Sequence, residues 1–389
     1  METTPAPIDV VMLGTFAVWG RGTLQARALP LMQALHARGV RCALVTTPWD
    51  MPPAAGVVEM YEQQPLINTR ARRPVDAPRA VAEQLGWVRR LGPQLVHVFK
   101  PKGFGGLAGH RLLRRLPVIV DCDDWEGDGG WNEHAGYGLL ERRLFDWQER
   151  DLQRRADAVT AASTLLQRRA VASRDGEAGR VLRLPNGLPP AWLRALSAAA
   201  ERQPMGRTIL LYSRFAEFPP DWLPRYVHTL AAHDAEPVAL SIVGTLPAGL
   251  RAELPETSAV RLEPHGYVAR DRLPTLLGEA SIAIYPYSDS LIARSKQSVK
   301  LLELMAAGVP VIASDVGDAA PTVADAGLVL DDIEPEHFAV ASLALLAQPE
   351  RRAALGAAGV QRVHLCFSFE QLSSQLLDLY GQLGLQCRP

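Results

Sequence analysis

The segment ARSKQSVKLLELMAAGVPVIASD (residues 293–315) decides the fold of this chain. An apolar run, ASIAIYPY, precedes it at residues 280–287, and its own last eight residues, GVPVIASD, form another. Short apolar runs of this kind are typical of buried parallel strands, and a helix between two of them is the usual crossover connection. The segment therefore indicates an α/β fold in which helices connect parallel strands.

The helix in this segment has recognisable end signals. Ser295 can cap its start, and we expect it to run to about Ala307, closed by Gly308 with Pro310 beyond it. Its first turn would lie at the carboxyl end of the strand at 280–287. That edge of an open α/β sheet is where ligands bind.

Lysine is rare in this chain, and its placement is informative. Among 41 lysines and arginines, only Lys100, Lys102, Lys296 and Lys300 are lysines. Two of them fall in the first turns of the predicted helix, where a cation opposes the helix dipole. A helix without a ligand would favour Asp or Glu there, so these lysines, together with Arg294, indicate an anion-binding helix end.

Lys296, Lys300 and Glu303 are spaced to share one face of that helix. The lysines could hold a phosphate, and the carboxylate could accept hydrogen bonds from ribose hydroxyls, so the set would suit a nucleotide. A solvated Lys–Glu face fits the same spacing. The scarcity of lysine favours the nucleotide site, because lysine supplies a compact point charge that the planar arginine fork does not.

Length and composition set the class of protein. At 389 residues, with 48% hydrophobic and 21% charged residues, the chain can form two domains with large cores. A net charge of −1 argues against a broad nucleic-acid surface. The scattered cysteines lack metal spacing and predict reduced thiols in a cytoplasmic protein. Neither a signal peptide nor a membrane-spanning segment is expected.

The alternation of strands and helices predicts two α/β domains of similar size facing a cleft. Proline, glycine and alanine cluster at residues 182–208, just before a fresh strand. We place the N-terminal Rossmann-like domain at residues 1–200 and the C-terminal one at 201–367. The amphipathic helix in residues 368–389 is expected to pack back on the N-terminal domain.

The segment SVKLLELMAAGVPVIASDVGD (298–318) resembles the signature of retaining glycosyltransferases of the GT-B fold, in particular family 4. Further segments agree with this family in the expected order, and together they cover nearly the whole chain. They are VVMLGTFAVWGRGTLQARALPLMQALHARGVRCALVTTP (10–48), PQLVHVFKPKG (93–103), RRADAVTAASTLL (154–166), LPNGLP (184–189), LLYSRF (210–215) and SIVGTLP (241–247).

The resemblance implies two Rossmann-like domains with parallel sheets facing a central cleft, the donor bound by the C-terminal domain. It implies transfer of a sugar from a nucleotide diphosphate sugar to an acceptor hydroxyl, with retention of configuration. GT-B enzymes usually need no metal, because helix ends and basic residues neutralise the departing diphosphate, so we expect no cofactor beyond the nucleotide sugar.

Site residues follow from the same resemblance. Glu303 matches the carboxylate that binds the donor ribose, and Arg214 matches the arginine on the donor diphosphate. Gly266 and Tyr267 lie where main-chain groups hold the base. The glycines of the N-terminal loop, Gly20 and Gly22, lie where backbone approaches the phosphate or the acceptor; without the family, GTFAVWGRGT is only a flexible loop.

The chain departs from the family at two donor positions. Ser295 stands where the family has the first glutamate of its paired-glutamate motif. The lysine that usually follows the diphosphate arginine is absent, since the chain reads AEFPPD after Phe215. We expect Lys296 or Lys300 to supply the missing charge, so catalysis would rest on Arg214, Lys296 and Lys300.

A third departure lies in VIVDCDDWEGDGGWNEH (118–134), where Asp123 takes the place of a family histidine near the reacting carbon. Like charges this close must be compensated by a cation, hydrogen-bond donors or shifted pKa values. A DxD metal site and a haloacid-dehalogenase nucleophile strand are alternatives, although Trp125 replaces the Thr of the latter. We favour Asp123 or Asp124 on the acceptor hydroxyl or the donor sugar.

The remaining candidates are less distinctive. The acids could instead cap the following turn or pair with Arg142 or Arg143. Trp131 could stack on a sugar. Lys102 could bind an anionic acceptor or a phosphate, or could simply be a surface lysine. In the same way His97 fits a satisfied core residue and Asn186 a turn residue.

Two other functions remain open at this level. A nucleotide-sugar-binding protein that has lost catalysis would explain Ser295, and a GT-B epimerase would need no acceptor. The sequence names neither the base, the sugar nor the acceptor, which could be a small molecule, a glycan or a lipid-linked molecule. Peripheral association with a membrane is therefore open as well.

Overall fold

The structure is a computed structural model that describes residues 7–18, 22–48, 57–70, 73–201, 204, 206–233, 236–255 and 257–386. The chain divides into two compact units. Unit 1 contains residues 1–186 together with 369–389, and unit 2 contains residues 187–368.

Unit 1 is built on an eight-stranded sheet, counted over its described residues, with the strand order β3-β4-β2-β1-β5-β6-β7-β8. All neighbours are parallel except β3 and β4. The strands are β1 (Val10–Gly14), β2 (Cys42–Thr46), β3 (Val57–Tyr61), β4 (Gln64–Asn68), β5 (Leu95–Phe99), β6 (Val118–Cys122), β7 (Ala158–Ala161) and β8 (Val181–Arg183).

Helices cover both faces of this sheet. They are α1 (Leu29–His36), α2 (Ala77–Leu91), α3 (Gly103–Leu112), α4 (Trp131–His134), α5 (Leu139–Arg155), α6 (Thr164–Ser173) and α16 (Phe369–Gln382), with a π-helical turn at Leu24–Ala28 and a 3₁₀ turn at Pro74–Asp76. Successive residues of β1 point to opposite faces, so Val10 and Met12 join one apolar cluster while Val11 and Leu13 join the other. Burial on both faces explains why the strands read as continuous apolar runs.

Unit 2 has a six-stranded parallel sheet in its described part, ordered β11-β10-β9-β12-β13-β14. Its strands are β9 (Thr208–Tyr212), β10 (Val238–Val243), β11 (Val260–Gly266), β12 (Ile282–Tyr285), β13 (Val311–Ser314) and β14 (Gly327–Leu330). Its helices are α7 (Pro190–Ala199), α8 (Trp222–His233), α9 (Ala248–Glu253), α10 (Leu273–Gly278), α11 (Leu291–Ser295), α12 (Val299–Ala306), α13 (Ala319–Val323), α14 (Pro335–Leu346) and α15 (Pro349–Cys366).

The units divide between residues 186 and 187, earlier than the boundary predicted near residue 200. The reason is α7, whose Leu193 and Leu196 pack with Leu277 and Leu302 in a core of unit 2. Proline and glycine at 185–190 mark the true boundary, and the alanines that follow belong to a packed helix. The terminal helix α16 packs against α1 within unit 1.

None of the described helices is both long enough and apolar enough to cross a lipid bilayer.

Candidate active site

In unit 2 the strand order reverses between β9 and β12, which makes that point of the carboxyl edge the expected ligand site of an open α/β sheet. The loop after β9 carries Arg214 and Glu217. The amino end of α12, two elements after β12, brings Lys300 to the same place.

Glu217 is the centre of this group, and its two carboxylate oxygens have different partners. Oε2 accepts hydrogen bonds from the Ser213 hydroxyl at 2.9 Å and from the backbone N–H groups of Arg214 and Ala216 at 3.2 and 3.0 Å. Oε1 faces the Lys300 ammonium at 3.4 Å and Nε of Arg214 at 3.7 Å. One oxygen thus fixes the loop, and the other faces two cations.

The charges in this group depend on each other. Burial alone would raise the pKa of Glu217, but Lys300 and the hydrogen bond from Ser213 bring it below its ordinary value. Burial lowers the pKa of Lys300, Glu217 opposes this, and Arg214 and Lys296 lower it further. Glu217 therefore serves as the counter-ion that lets several cations lie together.

The first turn of α12 adds partial positive charge. Ser298 caps the helix by its backbone geometry, and the turn contains no acidic residue. Its free N–H groups and the adjoining Lys300 together form an anion-binding helix end. Arg214 is 66% exposed and Lys300 only 18%, so Lys300 is the more buried of the two cations.

Glu303 lies three residues after Lys300 and is held by two donors. The Trp192 indole N–H donates to Oε1 at 2.9 Å, and the Tyr212 hydroxyl is also hydrogen-bonded to the carboxylate. Arg270 stacks over the Trp192 ring at 4.5 Å. Burial raises the pKa of Glu303, although these partners oppose the shift.

The ends of β10 and β11 are joined by glycines. The N–H of Gly244 donates to the Gly266 carbonyl at 2.8 Å. Gly244 has a φ of +129°, and a Cβ there would lie 1.9 Å from the Ser213 carbonyl oxygen, so only glycine fits. Gly266 has a φ of +65°, and Tyr267 after it is 71% exposed. The predicted base position thus presents main-chain groups and an exposed aromatic ring.

The predicted single helix from Ser295 to Ala307 is wrong. The chain forms α11, capped by the Ser290 hydroxyl, and then a separate α12 that begins at Val299. Ser295 is buried, and its hydroxyl donates to the Ile292 carbonyl of its own helix at 2.9 Å, so its side chain is not exposed at the protein surface. Lys296 is the extended residue that ends α11. Of the two lysines, only Lys300 lies in the first turn of a helix.

In unit 1 the acidic cluster lies at the carboxyl end of β6, and its acids have different partners. The fully buried Asp121 forms a bidentate ion pair with Arg27, with both N···O distances at 2.7 Å, and accepts from Thr160. Arg27 lies in the π-helical turn and also donates to the carbonyls of Leu184 and Pro185. Asp121 is thus a structural acid.

The FKPKG lysines compensate the rest of the cluster. Lys100 contacts Asp124 and Glu126, each at 2.7 Å, and Asp123 at 3.6 Å. Lys102 is buried and pairs with Glu126 at 2.5 Å. The predicted pairing of the acids with Arg142 or Arg143 is therefore replaced by lysine pairs. Lys102, expected as a ligand for an anionic acceptor or a phosphate, has its ammonium engaged within the fold.

Asp123 is the least compensated member of the cluster. Its Oδ2 accepts from the Thr23 hydroxyl at 2.6 Å, and Lys100 is no nearer than 3.6 Å. Burial raises its pKa to about 6; Lys100 opposes this shift, while Asp124 and Asp121 add to it. A carboxylate that titrates near neutral pH can bind or release a proton during a reaction.

The other predicted residues of unit 1 divide as follows. Trp131 begins α4 and is half-buried, and its backbone N–H donates to the Trp125 carbonyl. A Cβ on Gly22 would meet no atom of the described residues within 4 Å. Gly20 lies outside the described residues. His97 is a buried core residue between the hydroxyls of Tyr380 and Thr160, and burial lowers its pKa to about 4.

Two family models match the chain, one on each unit. Residues 22–187 match the glycosyl transferase 4-like domain, and residues 206–348 match the glycosyl transferases group 1. The chain belongs to the family 4 glycosyltransferases. The predicted resemblance to this family is therefore confirmed.

Curated relatives of this glycosyltransferase include a GDP-mannose-dependent alpha-mannosyltransferase of Mycolicibacterium smegmatis. It is 28% identical over 265 residues, which cover 66% of this chain and 65% of that protein. A D-inositol 3-phosphate glycosyltransferase of Rhodococcus jostii is 31% identical over 167 residues, 41% of this chain and 37% of that protein. The chain thus matches less than two thirds of the length of either relative.

Solved structures confirm the fold as GT-B with two Rossmann-like domains. Sucrose-phosphate synthase from Thermosynechococcus elongatus has a TM-score of 0.69 at 20% identity, covering 96% of this chain and 99% of that one. Anabaena HepE, solved in complex with UDP-glucose, has a TM-score of 0.64 at 15% identity with coverage of 96% and 99%.

Sequence reasoning missed several residues of this glycosyltransferase's candidate site. Glu217 lies in AEFPPD, a segment whose recognisable feature in the sequence is the absence of the family lysine. Trp192 and Tyr212 hold Glu303 from positions far along the chain. The aromatic in PPAWLRAL, followed by apolar residues at helical spacing, was the available signal for Trp192 as part of a packed helix.

We expect the Trp192→Phe variant to raise the KM for the donor about tenfold with little change in kcat. Phenylalanine keeps the buried ring but removes the N–H that holds Glu303, and a hydrogen bond to a charged group contributes about 1.5–3 kcal/mol. Steady-state kinetics with the nucleotide sugar would measure this. Trp222→Phe is the matched control, since its indole donates to the Ile333 carbonyl in the same unit. Equal effects from the two variants would mean that Trp192 is only structural.

Proposed function

We propose that this glycosyltransferase binds the diphosphate of its nucleotide sugar between Arg214, Lys300 and the amino end of α12. The observation that supports this best is that Glu217 acts as the counter-ion of both Arg214 and Lys300. These two cations lie beside the first turn of α12, which contains no acidic residue of its own. Lys300 supplies the charge that the family places after its arginine, and Lys296 contributes from nearby. Glu303 takes the ribose, and Gly266 with Tyr267 takes the base.

This arrangement is suited to a departing diphosphate. Negative charge grows on the leaving oxygen as its bond to the anomeric carbon breaks, and fixed cations and N–H dipoles stabilise it without reorganising. A compact ammonium near a helix end in a low-dielectric site has its largest effect there. Metal-independent transfer with retained configuration is the corresponding chemistry, as expected from the family.

We also propose that Asp123 acts on the acceptor side. Asp124 is already in close contact with Lys100 at 2.7 Å, whereas Asp123, among the described residues, accepts from the Thr23 hydroxyl at 2.6 Å and has Lys100 at 3.6 Å. An acceptor hydroxyl or a hydroxyl of the donor sugar could complete its partners, and Trp131 follows Asp123 in the same segment of the sequence. Gly20 and Gly22 stay predictions for the phosphate or acceptor loop. The described free cysteines, Cys42, Cys122 and Cys366, suit the predicted cytoplasmic setting.

The experiment that tests the donor site is thermal unfolding with a panel of nucleoside diphosphates and their sugars. A ligand at 100 times its Kd stabilises the native state by about 2.7 kcal/mol, which is a readily measured rise in Tm. We expect one base to be clearly preferred, with its sugar nucleotide then consumed in the presence of acceptors. No shift with any nucleotide would contradict the donor site.

The same panel distinguishes the alternatives. A nucleotide sugar that stabilises the protein but is neither transferred nor slowly hydrolysed would favour a binding protein without catalysis. Conversion to an isomer without acceptor would favour an epimerase. The acceptor itself stays open among small molecules, glycans and lipid-linked molecules.

A further inference from the structure

The exposed side of α5 has an unusual composition. Eight side chains of this fully described helix are exposed, and every one is leucine, tryptophan or arginine. We call this set the α5 face; its members are Leu139, Leu140, Arg143, Leu144, Trp147, Arg150, Arg154 and Arg155. Leu140 is 81% exposed, so the apolar part of the α5 face is accessible to solvent.

The helix arranges these side chains as a stripe with charged flanks. Leu140, Leu144 and Trp147 follow the i, i+4, i+7 spacing of one helical face. Arg143, Arg150 and Arg154 project beside that stripe on the same turns. Long arginine side chains can lie along an apolar surface while their guanidinium groups reach a polar layer.

The acidic residues of α5 are directed elsewhere, and none of its four carboxylates is exposed. Glu141 accepts from the backbone N–H of Gly138, Asp146 from the Asn132 amide, and Glu149 from Arg169. Asp151 pairs with Arg155 and with His110 of α3. Of the four arginines of the α5 face, Arg155 pairs with Asp151 at 3.0 Å and Arg154 with Asp175 at 3.9 Å. The α5 face therefore presents a net positive charge beside its apolar surface.

The neighbouring helix α3 extends the same character. His110 stacks on the Trp147 ring at a centroid distance of 4.5 Å and orients that ring on the face. Arg111, Arg114 and Arg115 follow on α3 and the turn after it, all exposed. The ordered tryptophan thus lies between two sets of arginines.

The amino end of α5 lies near the acidic cluster. Because α5 connects the parallel neighbours β6 and β7, its amino end lies at the carboxyl edge of the sheet, where the acidic cluster is. Tyr137, two residues before α5, has its ring 5.3 Å from the Lys102 ammonium. Leu139 and Leu140 are therefore close to the edge that carries Asp123.

We propose that the α5 face docks on a lipid bilayer containing anionic lipids. Such a surface offers acyl chains to the leucines, an interfacial layer to tryptophan, and phosphates to the arginines. A second copy of this chain fits poorly, because a symmetric contact would bring arginines against arginines. On the proposed function, docking would present the Asp123 edge to acceptors held in the membrane.

The test is co-sedimentation of the full chain with vesicles, which needs no donor and no turnover. The probes are phosphatidylcholine vesicles and vesicles of phosphatidylcholine and phosphatidylglycerol in a ratio of about 2 to 1. We expect binding only to the anionic vesicles and a decrease in binding as salt rises. Leu140→Ser should weaken it about fivefold or more, and each of Arg143→Gln and Arg150→Gln about fivefold.

Matched controls are Leu365→Ser and Arg251→Gln, exposed helix positions of unit 2 that should leave binding unchanged. Since the changed positions are exposed, each variant should fold, which circular dichroism would verify. Absence of binding to anionic vesicles at low salt overturns the proposal, as does equal binding by α5-face and control variants. A wild-type dimer in light scattering that Leu140→Ser dissociates would overturn it in favour of self-association.

Discussion

Replacing Lys300 with alanine should lower kcat/KM for the donor by about two to three orders of magnitude, the loss expected when a fixed donor to a developing negative charge is removed. Lys300 lies in the first turn of α12 and faces Glu217 at 3.4 Å. Without it, the diphosphate would meet a buried carboxylate that has lost one of its two cations. Both the lost attraction of Lys300 and the uncompensated repulsion of Glu217 weaken the binding of the diphosphate.

A second substitution separates these two contributions. In the Lys300→Ala background, Glu217→Gln should restore about tenfold of the lost kcat/KM, because the carboxylate that opposes the diphosphate is neutralised. Lys300→Arg should retain intermediate activity, since it keeps the charge but changes its geometry. Arg207→Ala is the matched control, because Arg207 directly precedes β9, at the opposite edge of the same sheet, and pairs with Glu236 at 2.5 Å.

The kinetic measurements would include the KM for the donor and the Kd for the nucleoside diphosphate. If Lys300→Ala behaves like Arg207→Ala, the diphosphate does not lie at this helix end. If the double variant is no more active than Lys300→Ala, Glu217 and Lys300 are not coupled in the reaction.

Residues 293–315 show how far the sequence could predict the donor side. The strand–helix–strand pattern, the helix end at Gly308 and the placement of Lys300 could all be read from local signals. The break between α11 and α12 could not, because Ser290, Ser295 and Ser298 are equally plausible caps by residue type. Tertiary packing determines which of these serines caps a helix. Ser295 is buried, and its hydroxyl donates to the Ile292 carbonyl.

The lysines of FKPKG illustrate a different limit. Their scarcity correctly marked them as special, but their partners lie 24 and 26 residues along the chain at the end of the neighbouring strand. Adjacent parallel strands bring Lys100 beside Asp124 and Glu126, and a single sequence does not record strand order. The pair therefore stabilises an acidic cluster within unit 1, although its charge alone suggested a ligand.

The donors to Glu303 show the same limit for side chains. Trp192 lies on a helix that the composition suggested was part of a linker, and it reaches Glu303 across 111 residues of sequence. Only the packing of α7 on α12 reveals it. Residue type predicts what a side chain can donate, while the fold determines what it meets.

Replacing Asp123 with asparagine should remove most activity and at the same time stabilise the protein at neutral pH. Burial, against the partial opposition of Lys100, raises the pKa of Asp123 to about 6 from an unfolded value of about 3.8. Between these two pH values the unfolded chain releases the proton while the native state keeps it, so rising pH favours unfolding. The penalty is absent below about pH 4, complete above about pH 7, and amounts to about 3 kcal/mol at most.

The Asp123→Asn variant lacks this penalty and keeps the size of the side chain. We therefore expect its stability advantage over wild type to grow from near zero at about pH 4 to at most about 3 kcal/mol at about pH 8, because the attraction of Lys100 is already included in the raised pKa of Asp123. Urea unfolding of both proteins across this range measures it, and Asp128→Asn, on the exposed part of the same segment, is the control. Activity of wild type should rise with an apparent pKa near 6, and this step should be absent from the residual activity of the variant. If the variant is fully active, Asp123 is not the acceptor-side carboxylate. If the stability difference does not change with pH, burial does not raise the pKa of Asp123.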